Sequence, residues 1–240
     1  MRFRTPLTEA ILLRRVLRFL AEVSLGNHKK RTIYCPNLNP LLGCDILGSR
    51  IWFSNSGRLS RGYLDVWELV EVNGGHLVSI HPEHSRTLLR EAIETDQIPE
   101  LKNYRFLQAL VQNSGLRSGI DILTNQSGEH CFICIEHVTL ADDRGEGFFP
   151  EIPYTHSLYL RELMALKEAG HRALLFFCAA NEGIQCIRPG ESIDPEYGKL
   201  LRNAFNMGVE TLAYRTKISE KEMSIDLQIP IILSENILYR

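Results

Sequence analysis

Short segments of alternating or clustered apolar residues occupy residues 18–80, with Gly, Asn and Ser turns between them. This pattern predicts several short β-strands. The segments are "RFLAEVSL", "RTIYC", "RIWFS" and "DVWELVEV". Gly43 and Gly48 are expected turn positions, and "NGG" at 73–75 predicts a hairpin. So many strands in so short a segment favour a small barrel.

After residue 80 the pattern changes to alternating helices and strands. Residues 85–96 carry apolar side chains at helical spacing, and residues 119–140 predict two strands around a turn. A second helix is expected over 155–170, followed by a buried strand, "HRALLFFCA". Asp194 as N-cap and Gly208 after the last turn bound a third helix. "VETLAYRTKIS" predicts another strand.

These elements predict a mixed α/β protein of two domains. Residues 1–80 are expected to form a small β-barrel, and residues 81–240 an α/β domain with a central sheet. The boundary is expected near His81. No internal repeat is visible in the sequence.

Composition and charge narrow the function classes. The chain has 240 residues, a net charge of −2 and six scattered cysteines. We expect reduced thiols and a cytoplasmic protein with no membrane association, because no apolar run approaches the ~20 residues of a membrane helix. Nucleic-acid binding would need a local basic patch, which the arginine-rich N-terminal segment supplies. For each single arginine, an ordinary solvated surface charge is the alternative.

Three side chains in the predicted strand pair suggest a metal site. Cys134 and Glu136 point to the same side of one strand, and a hairpin can place Asp121 beside them. Glu91 on the preceding helix could add a carboxylate, so Asp121 and Glu91 are candidate ligands of a hard divalent cation. The alternative is that these are polar residues at strand ends near solvent.

Other chemical signatures are weak or absent. Cys131 and Cys134 form a C-x-x-C, but residues three apart on one strand face opposite sides, and no further pair completes a zinc site. His81 and His84 are expected to be polar loop residues. The sequence lacks phosphate-loop, dinucleotide-binding and nucleophile-elbow motifs.

A family resemblance runs over nearly the whole chain. It is carried by "TPLTEAILLRRVLRFLAEVSL", "CPN", "WELVE", "LLREAIE", "IDIL", "VTLAD", "FFPE", "LRELMAL", "GHRALLFF", "IDPEY" and "GVETLAYR", in this order and spacing. The sequence resembles the bacterial sugar fermentation stimulation protein A family. The resemblance implies an N-terminal OB-like barrel and a C-terminal PD-(D/E)XK nuclease-like domain. It also implies DNA binding and a regulatory role in sugar (maltose) metabolism.

The nuclease motif departs from the family pattern. Family members read like "C-Y-I-E-V-K-x-V-T-L" where this chain reads "CFICIEHVTL". Asp121 keeps the aspartate position, Cys134 replaces the glutamate, Glu136 replaces the lysine and Gly119 replaces an arginine. In such nucleases the two acids hold Mg²⁺ and the lysine assists the attacking water. We therefore interpret the site as degenerate and inactive, with a rearranged site that uses Asp121 and Glu136 as the alternative.

Three hypotheses follow. The first is a non-catalytic DNA-binding protein that needs no cofactor. Its candidate phosphate contacts are basic residues of the barrel: Arg14, Arg15, Arg18, Arg50, Arg58 and Arg61. Its possible base-stacking residues are aromatic: Tyr34, Trp52, Phe53 and Tyr63. The second is a metal-dependent nuclease, for which Mg²⁺ is the expected cofactor. The third is an interaction scaffold that binds no nucleic acid. Single- or double-stranded preference and oligomeric state are left open.

Overall fold

The fold comes from a computed structural model. It describes residues 1–26, 29–60, 62–107, 119–153 and 156–233. Within these ranges the chain forms a barrel, an α/β domain with a six-stranded sheet, and a small parallel pair of strands. The mixed α/β class and the OB-like barrel predicted from the sequence are confirmed.

The barrel closes through five strands. They are β1 (Thr8–Val16), β2 (Leu20–Ser24), β3 (Lys30–Tyr34), β4 (Arg50–Ser60) and β5 (Tyr63–Val72). β1 pairs with β2 and β4, β2 with β3, and β4 with β5, all antiparallel. A parallel contact between β3 and β5, at Tyr34 and Val66, closes the ring. The sixth strand, β6 (His76–Ser79), extends the sheet from β5.

The sequence pattern did not identify β1, which starts at Thr8 and not near residue 18. Its buried positions, Ala10 and Leu12, alternate only at the start. The pairing register with β2 then shifts between Leu12 and Arg14. A bulge of this kind breaks the period of two on which strand prediction depends.

A six-stranded mixed sheet organises the C-terminal domain. Its strands, in spatial order, are β14 (Met223–Gln228), β13 (Glu210–Ile218), β11 (Arg172–Ala179), β9 (His130–Val138), β8 (Ile120–Thr124) and β7 (Arg105–Phe106). β11 runs parallel to β9 and β13, while β8 and β9 form an antiparallel hairpin. β10 (Glu146–Phe149) and β12 (Cys186–Pro189) form the separate parallel pair.

Helices cover both faces of this sheet. α1 (Glu83–Glu94) buries Leu88 and Leu89 against one face. α2 (Ser157–Glu168) and α3 (Pro195–Asn206) bury apolar side chains against the other. The central strand β11 is buried along nearly its whole length, as expected for a strand covered on two sides.

The barrel is joined to the C-terminal domain through a shared core. Trp52 and Leu69 of the barrel lie in the same buried cluster as Leu88 and Leu89 of α1. β6 also bonds to the loop after β11, where the amide of Ser79 donates to the carbonyl of Ala180 at 2.8 Å. The domain boundary predicted near His81 falls in the short link between β6 and α1. The exact bounds of the two domains stay a prediction.

Candidate functional site

A cleft of about 210 Å³ lies between the barrel and the β8–β9 hairpin. The barrel contributes the loop that follows β3, and the C-terminal domain contributes the start of α1, the hairpin and the segment before α2. The polar residues that line the cleft are Asn37, Asn39, Glu83, Arg86, Asp121, Glu136, His137 and His156. The cleft therefore contains the two carboxylates, Asp121 and Glu136, that the sequence singled out.

Asp121 reaches the cleft from the α1 side of the sheet. Its register partner is Ile133, so the two side chains share a face, and Cys134 and Glu136 lie on the other face. Nη2 of Arg86, from α1, donates a hydrogen bond to Oδ1 of Asp121. Burial raises the pKa of Asp121, and the charges of Arg86 and Arg90 oppose that shift. The expectation that Asp121 lies beside Cys134 on one face is wrong, because the register offsets the two strands by one residue.

Glu136 pairs with a histidine on the α2 side. Nδ1 of His156 lies 3.2 Å from Oε1 and 3.1 Å from Oε2 of Glu136. Burial opposes protonation of His156, but the Glu136 charge, with smaller contributions from Glu151 and Asp194, raises its pKa. The Glu136 carboxylate, only 6% exposed, is thus engaged by an ion pair inside the cleft.

Cys134 is a core residue. Its side chain is 2% exposed, and Sγ–H donates to Oε1 of Glu136 at 3.5 Å. Burial, together with the charge of Glu136, raises the pKa of Cys134 well above that of a free thiol. Sulfur is also a soft donor, whereas hard divalent cations select oxygen ligands. Cys131 lies in the opposite core cluster, as the spacing of the C-x-x-C predicted.

The predicted metal pair, Glu91 with Asp121, is not brought together. Oε2 of Glu91 lies 2.5 Å from the N-terminal amine of Met1, and Asp121 is bound by Arg86. Helix geometry explains this, since positions 86 and 91 of α1 project in different directions. In the part of the chain that the structure describes, no three His, Cys, Asp or Glu side chains are arranged to hold a metal ion. Asp121 and Glu136 are each paired with a cationic side chain, Arg86 and His156, and Cys134 is a soft donor, so these three side chains do not fit a hard divalent cation.

The barrel arginines have different environments. Arg14 pairs with Glu22 on β2, with Nη2 2.6 Å from Oε1. Arg50 pairs with Glu9 and Glu71 and lies over the Trp52 ring. The exposed residue Arg18 occupies the β1–β2 turn. Arg61 and the side chain of Arg58 lie outside the described residues, although Arg58 belongs to β4.

Arg15 is not a surface contact. Its side chain is 9% exposed and donates to the backbone carbonyls of Arg18, Asn37 and Asn39. Two of the candidate stacking residues, Trp52 and Phe53, are also buried, whereas Tyr34 and Tyr63 are partly exposed. A guanidinium has five donors, and these three carbonyls satisfy it where phosphate contact was expected.

The junction of the two domains holds a network that the sequence did not reveal. His84, expected in a loop, is buried in α1, with Nδ1 2.8 Å from Oγ of Ser79 and Nε2 3.2 Å from Oε2 of Glu68. His137 donates from Nε2 to the Ser79 carbonyl at 2.9 Å. These partners come from β5, β6, α1 and β9, so only the fold brings them together.

Two cleft residues, Arg86 and His156, were also missed as site residues. Arg86 lies one helical turn from the start of α1, and His156 immediately precedes α2. Neither residue belongs to a motif that the sequence pattern singled out, and their partners Asp121 and Glu136 lie 35 and 20 positions away.

Comparisons with known proteins agree with this architecture. Residues 83–222 match the family model described as "Sugar fermentation stimulation protein RE domain", and residues 13–80 match "SfsA N-terminal OB domain". Within the described ranges, no helix has the length and apolar character needed to cross a membrane.

Relatives match along almost their full length. A sugar fermentation stimulation protein homolog of Teredinibacter turnerae is 36% identical, covering 97% of this chain and 100% of the relative. One of Shewanella baltica is 39% identical, covering 94% and 97%. The structure of Pyrococcus furiosus SfsA in complex with Ca²⁺ superimposes with a TM-score of 0.84 at 21% identity, covering 97% of this chain and 98% of that one. The chain belongs to the sugar fermentation stimulation protein family.

Proposed function

We propose that this protein binds DNA through its N-terminal barrel and does not hydrolyse it. The observation that carries the proposal is the pairing in the cleft: Asp121 is bound by Arg86 and Glu136 by His156. The acids of the degenerate nuclease motif are thus used inside the protein. We therefore assign DNA binding to the barrel.

The barrel has the strand pairing of an OB fold, with β1 bonded to β2 and β4, and β3 closing on β5. OB folds bind oligonucleotides on the face of strands 2 and 3 and on the loops after strands 1 and 4. On the outer face of β3 Lys30 is exposed and Tyr34 is partly exposed, whereas Arg31 points to the other side, where it pairs with Asp65. Arg18 lies in the loop after β1. Cations and an aromatic on one surface support single-strand or duplex binding.

Ion pairs on this surface do not prevent phosphate binding. The Arg14 side chain is 64% exposed in its pair with Glu22. Exposed pairs contribute only about 0–1 kcal/mol, so a phosphate competes readily for the guanidinium. Arg50 is bound by two carboxylates, Glu9 and Glu71, and is a weaker candidate.

The charge of the cleft argues against phosphodiester hydrolysis there. Glu83, Asp121 and Glu136 line it against the cations Arg86 and His156. Glu136 stands where a nuclease of this fold has its lysine, and a carboxylate at that position repels the charge that develops on a reacting phosphate. We therefore propose that the cleft has the shape of a nuclease site but does not catalyse phosphodiester hydrolysis.

The proposed DNA binding does not depend on a divalent cation. The Pyrococcus furiosus protein is described in complex with Ca²⁺. In this chain the buried thiol of Cys134 lies beside the Glu136 carboxylate. Hard cations select carboxylate and carbonyl oxygens. We therefore derive no metal-dependent step.

The physiological part of the proposal is a regulatory role in sugar metabolism. The relatives carry the name sugar fermentation stimulation protein homolog. We propose that this chain acts in the cytoplasm on genes of maltose metabolism. Transcript levels of those genes, measured with and without the protein during growth on maltose, test this role; unchanged levels would contradict it.

Fluorescence anisotropy with labelled single-stranded and duplex DNA, over a salt series, tests the binding. Replacing Arg14 and Arg18 by Gln should reduce the slope of log affinity against log salt by roughly 1.4 for single strands. The matched control replaces Lys199 and Lys221, exposed residues of the C-terminal domain, by Gln. It removes the same charge and should leave the slope unchanged.

Each alternative has its own outcome in the same assay. Divalent-dependent cleavage that is abolished by Asp121→Ala would replace the proposal with a rearranged nuclease. Absence of affinity for either DNA at every salt concentration would favour the scaffold.

A further inference from the structure

The β1–β2 turn has an unusual backbone. Leu17 and Arg18 are consecutive non-glycine residues with φ of 52° and 64°. Left-handed φ values bring Cβ close to the backbone, so such positions usually hold Gly, Asn or Asp. Neither leucine nor arginine has a local side-chain bond that would favour this conformation. Strain of this kind persists where surrounding structure fixes it, and it clusters at binding sites.

Arg15 fixes this turn. Nε and Nη2 donate to the carbonyl of Arg18 at 3.0 and 2.6 Å. Nη2 also donates to the carbonyl of Asn37 at 2.5 Å, and Nη1 to that of Asn39 at 2.7 Å. One buried guanidinium therefore ties the β1–β2 turn to the loop that forms the barrel wall of the cleft.

The tied loops expose apolar side chains. Leu17 is 71% exposed and Leu38, between the two bonded asparagines, is 44% exposed. Because the carbonyls of Arg18 and Asn37 share one nitrogen of Arg15, the two leucines belong to adjacent segments. While they are exposed these leucines contribute no burial to stability, whereas a ligand that covers them would remove their apolar surface from water.

A cation accompanies the leucines. Arg18 is exposed, and its guanidinium makes no ion pair with any of the described residues. An apolar surface with a free cation fits a ligand that has both apolar faces and negative charge. Unpaired nucleotides have this chemistry, because their base faces are open and each carries a phosphate. In a duplex the base faces are stacked and hidden, so leucines at the surface gain nothing.

We infer that Leu17, Arg18 and Leu38 form a contact site for single-stranded nucleic acid. Arg18 binds a phosphate, and the two leucines pack against unstacked bases. Leu17 and Arg18 lie in the loop after the first strand, where OB barrels receive oligonucleotides, and Leu38 lies in the adjoining loop after β3. The inference rests on the proposed function and adds to it a preference for single strands.

Leu17→Asn is the test variant, because asparagine tolerates positive φ and should not unfold the turn. Anisotropy of the full chain is measured in EDTA with labelled oligo-dT and with a duplex of equal length. We expect Leu17→Asn to weaken oligo-dT binding roughly tenfold, in line with the loss of one base contact, and to leave duplex affinity unchanged. Leu227→Asn, at a 45% exposed leucine of β14, is the matched control and should bind as the original chain does.

The other outcomes are decisive. If the unaltered chain binds DNA and Leu17→Asn binds equally well, the inference fails while the proposed function stands. Equal losses for oligo-dT and duplex overturn the single-strand preference. If the unaltered chain is a dimer that Leu17→Asn converts to a monomer, the leucines contact a second copy of the chain and the inference fails. Absence of binding by the unaltered chain contradicts the proposed function itself.

Discussion

Nδ1 of His156 lies 3.1 Å from Oε2 of Glu136, at the position where the family pattern has a lysine. The two residues lie 20 positions apart and meet across the cleft between β9 and the start of α2. The family resemblance implies a lysine at position 136; in this chain an acid stands there, and a cation from another segment pairs with it. The cleft keeps an ion pair but orients it within the protein, away from a substrate.

Glu136→Gln should lower the pKa of His156. The Glu136 charge is the main interaction that raises this pKa, and burial, which lowers it, remains in the variant. NMR titration of the histidine ring protons should show His156 titrating above the ordinary 6.5 in the original chain and below 6.5 in the variant. An unchanged titration would show that the pair does not form.

The same pair makes stability depend on pH. The folded-state pKa of His156 is raised above its unfolded value. The contribution of His156 to the free energy of unfolding is therefore fully present below pH 6.5 and is lost as the pH rises through the folded pKa. Urea unfolding from pH 6 to pH 8.5 should therefore show a decline that is absent from Glu136→Gln. Cys134→Ala is a useful control, since it leaves both charged groups in place.

His81 should make stability depend on pH in the opposite direction to His156. Burial, with repulsion from His84, lowers the pKa of His81 to about 4. The unfolded chain then binds a proton that the folded chain does not, so stability falls as the pH drops from 6.5 toward 4. Between pH 7 and pH 5 this single group costs about 2 kcal/mol.

His81→Gln tests that dependence. The variant should lose less stability than the original chain between pH 7 and pH 5, measured by urea unfolding at both values. The stacked neighbour His84 stays in place in the variant, with ring centroids originally 4.8 Å apart. Parallel pH profiles for the two proteins would show that His81 is not buried in its neutral form.

Arg15→Lys should destabilise the barrel although it keeps the charge. Lysine cannot reproduce the planar set of donors that holds the carbonyls of Arg18, Asn37 and Asn39. Leaving such carbonyls unsatisfied costs about 1–3 kcal/mol. Arg14→Lys is the matched control: it keeps a cation beside Glu22 at an exposed position and should change stability much less than Arg15→Lys does. Equal losses in urea unfolding would contradict the role of Arg15.

Trp52→Ala should weaken the junction between the two domains. Trp52 is 2% exposed and packs in one cluster with Leu88 and Leu89 of α1. Truncating a buried tryptophan costs about 3–5 kcal/mol. Trp52→Phe should cost less, because the Nε1 donor of Trp52 has no hydrogen-bond partner among the described residues. Thermal unfolding of the two variants checks this order, and equal midpoints would contradict it.

Signals from residues close together in the sequence were enough to predict much of the fold. The third helix begins where predicted, with the amide of Tyr197 donating to Oδ1 of Asp194 at 3.1 Å, and Gly208 follows it with φ of 89°. The buried strand over 172–179 was visible as a continuous apolar run. Such elements depend on neighbours in sequence, so one sequence contains the information. The bulged strand β1 has no comparable local signal.

The candidate site depended on contacts between distant segments. The sequence located Asp121, Cys134 and Glu136, but not the register that puts Asp121 opposite Ile133. Nor could it supply the partners: Arg86 lies 35 residues before Asp121. Arg15 illustrates the same limit, since a basic residue in a basic segment gives no indication that it is buried.

The central claim is that the protein binds DNA and leaves it intact. Its most direct test is to incubate the purified protein with end-labelled single-stranded and duplex DNA in Mg²⁺, in Mn²⁺ and in EDTA. Anisotropy is read first, and the same samples are then run on a denaturing gel. We predict salt-sensitive binding that neither Mg²⁺ nor Mn²⁺ strengthens relative to EDTA, and full-length DNA on the gel. Shortened DNA in Mg²⁺ or Mn²⁺ but not in EDTA, lost in Asp121→Ala, would contradict the account.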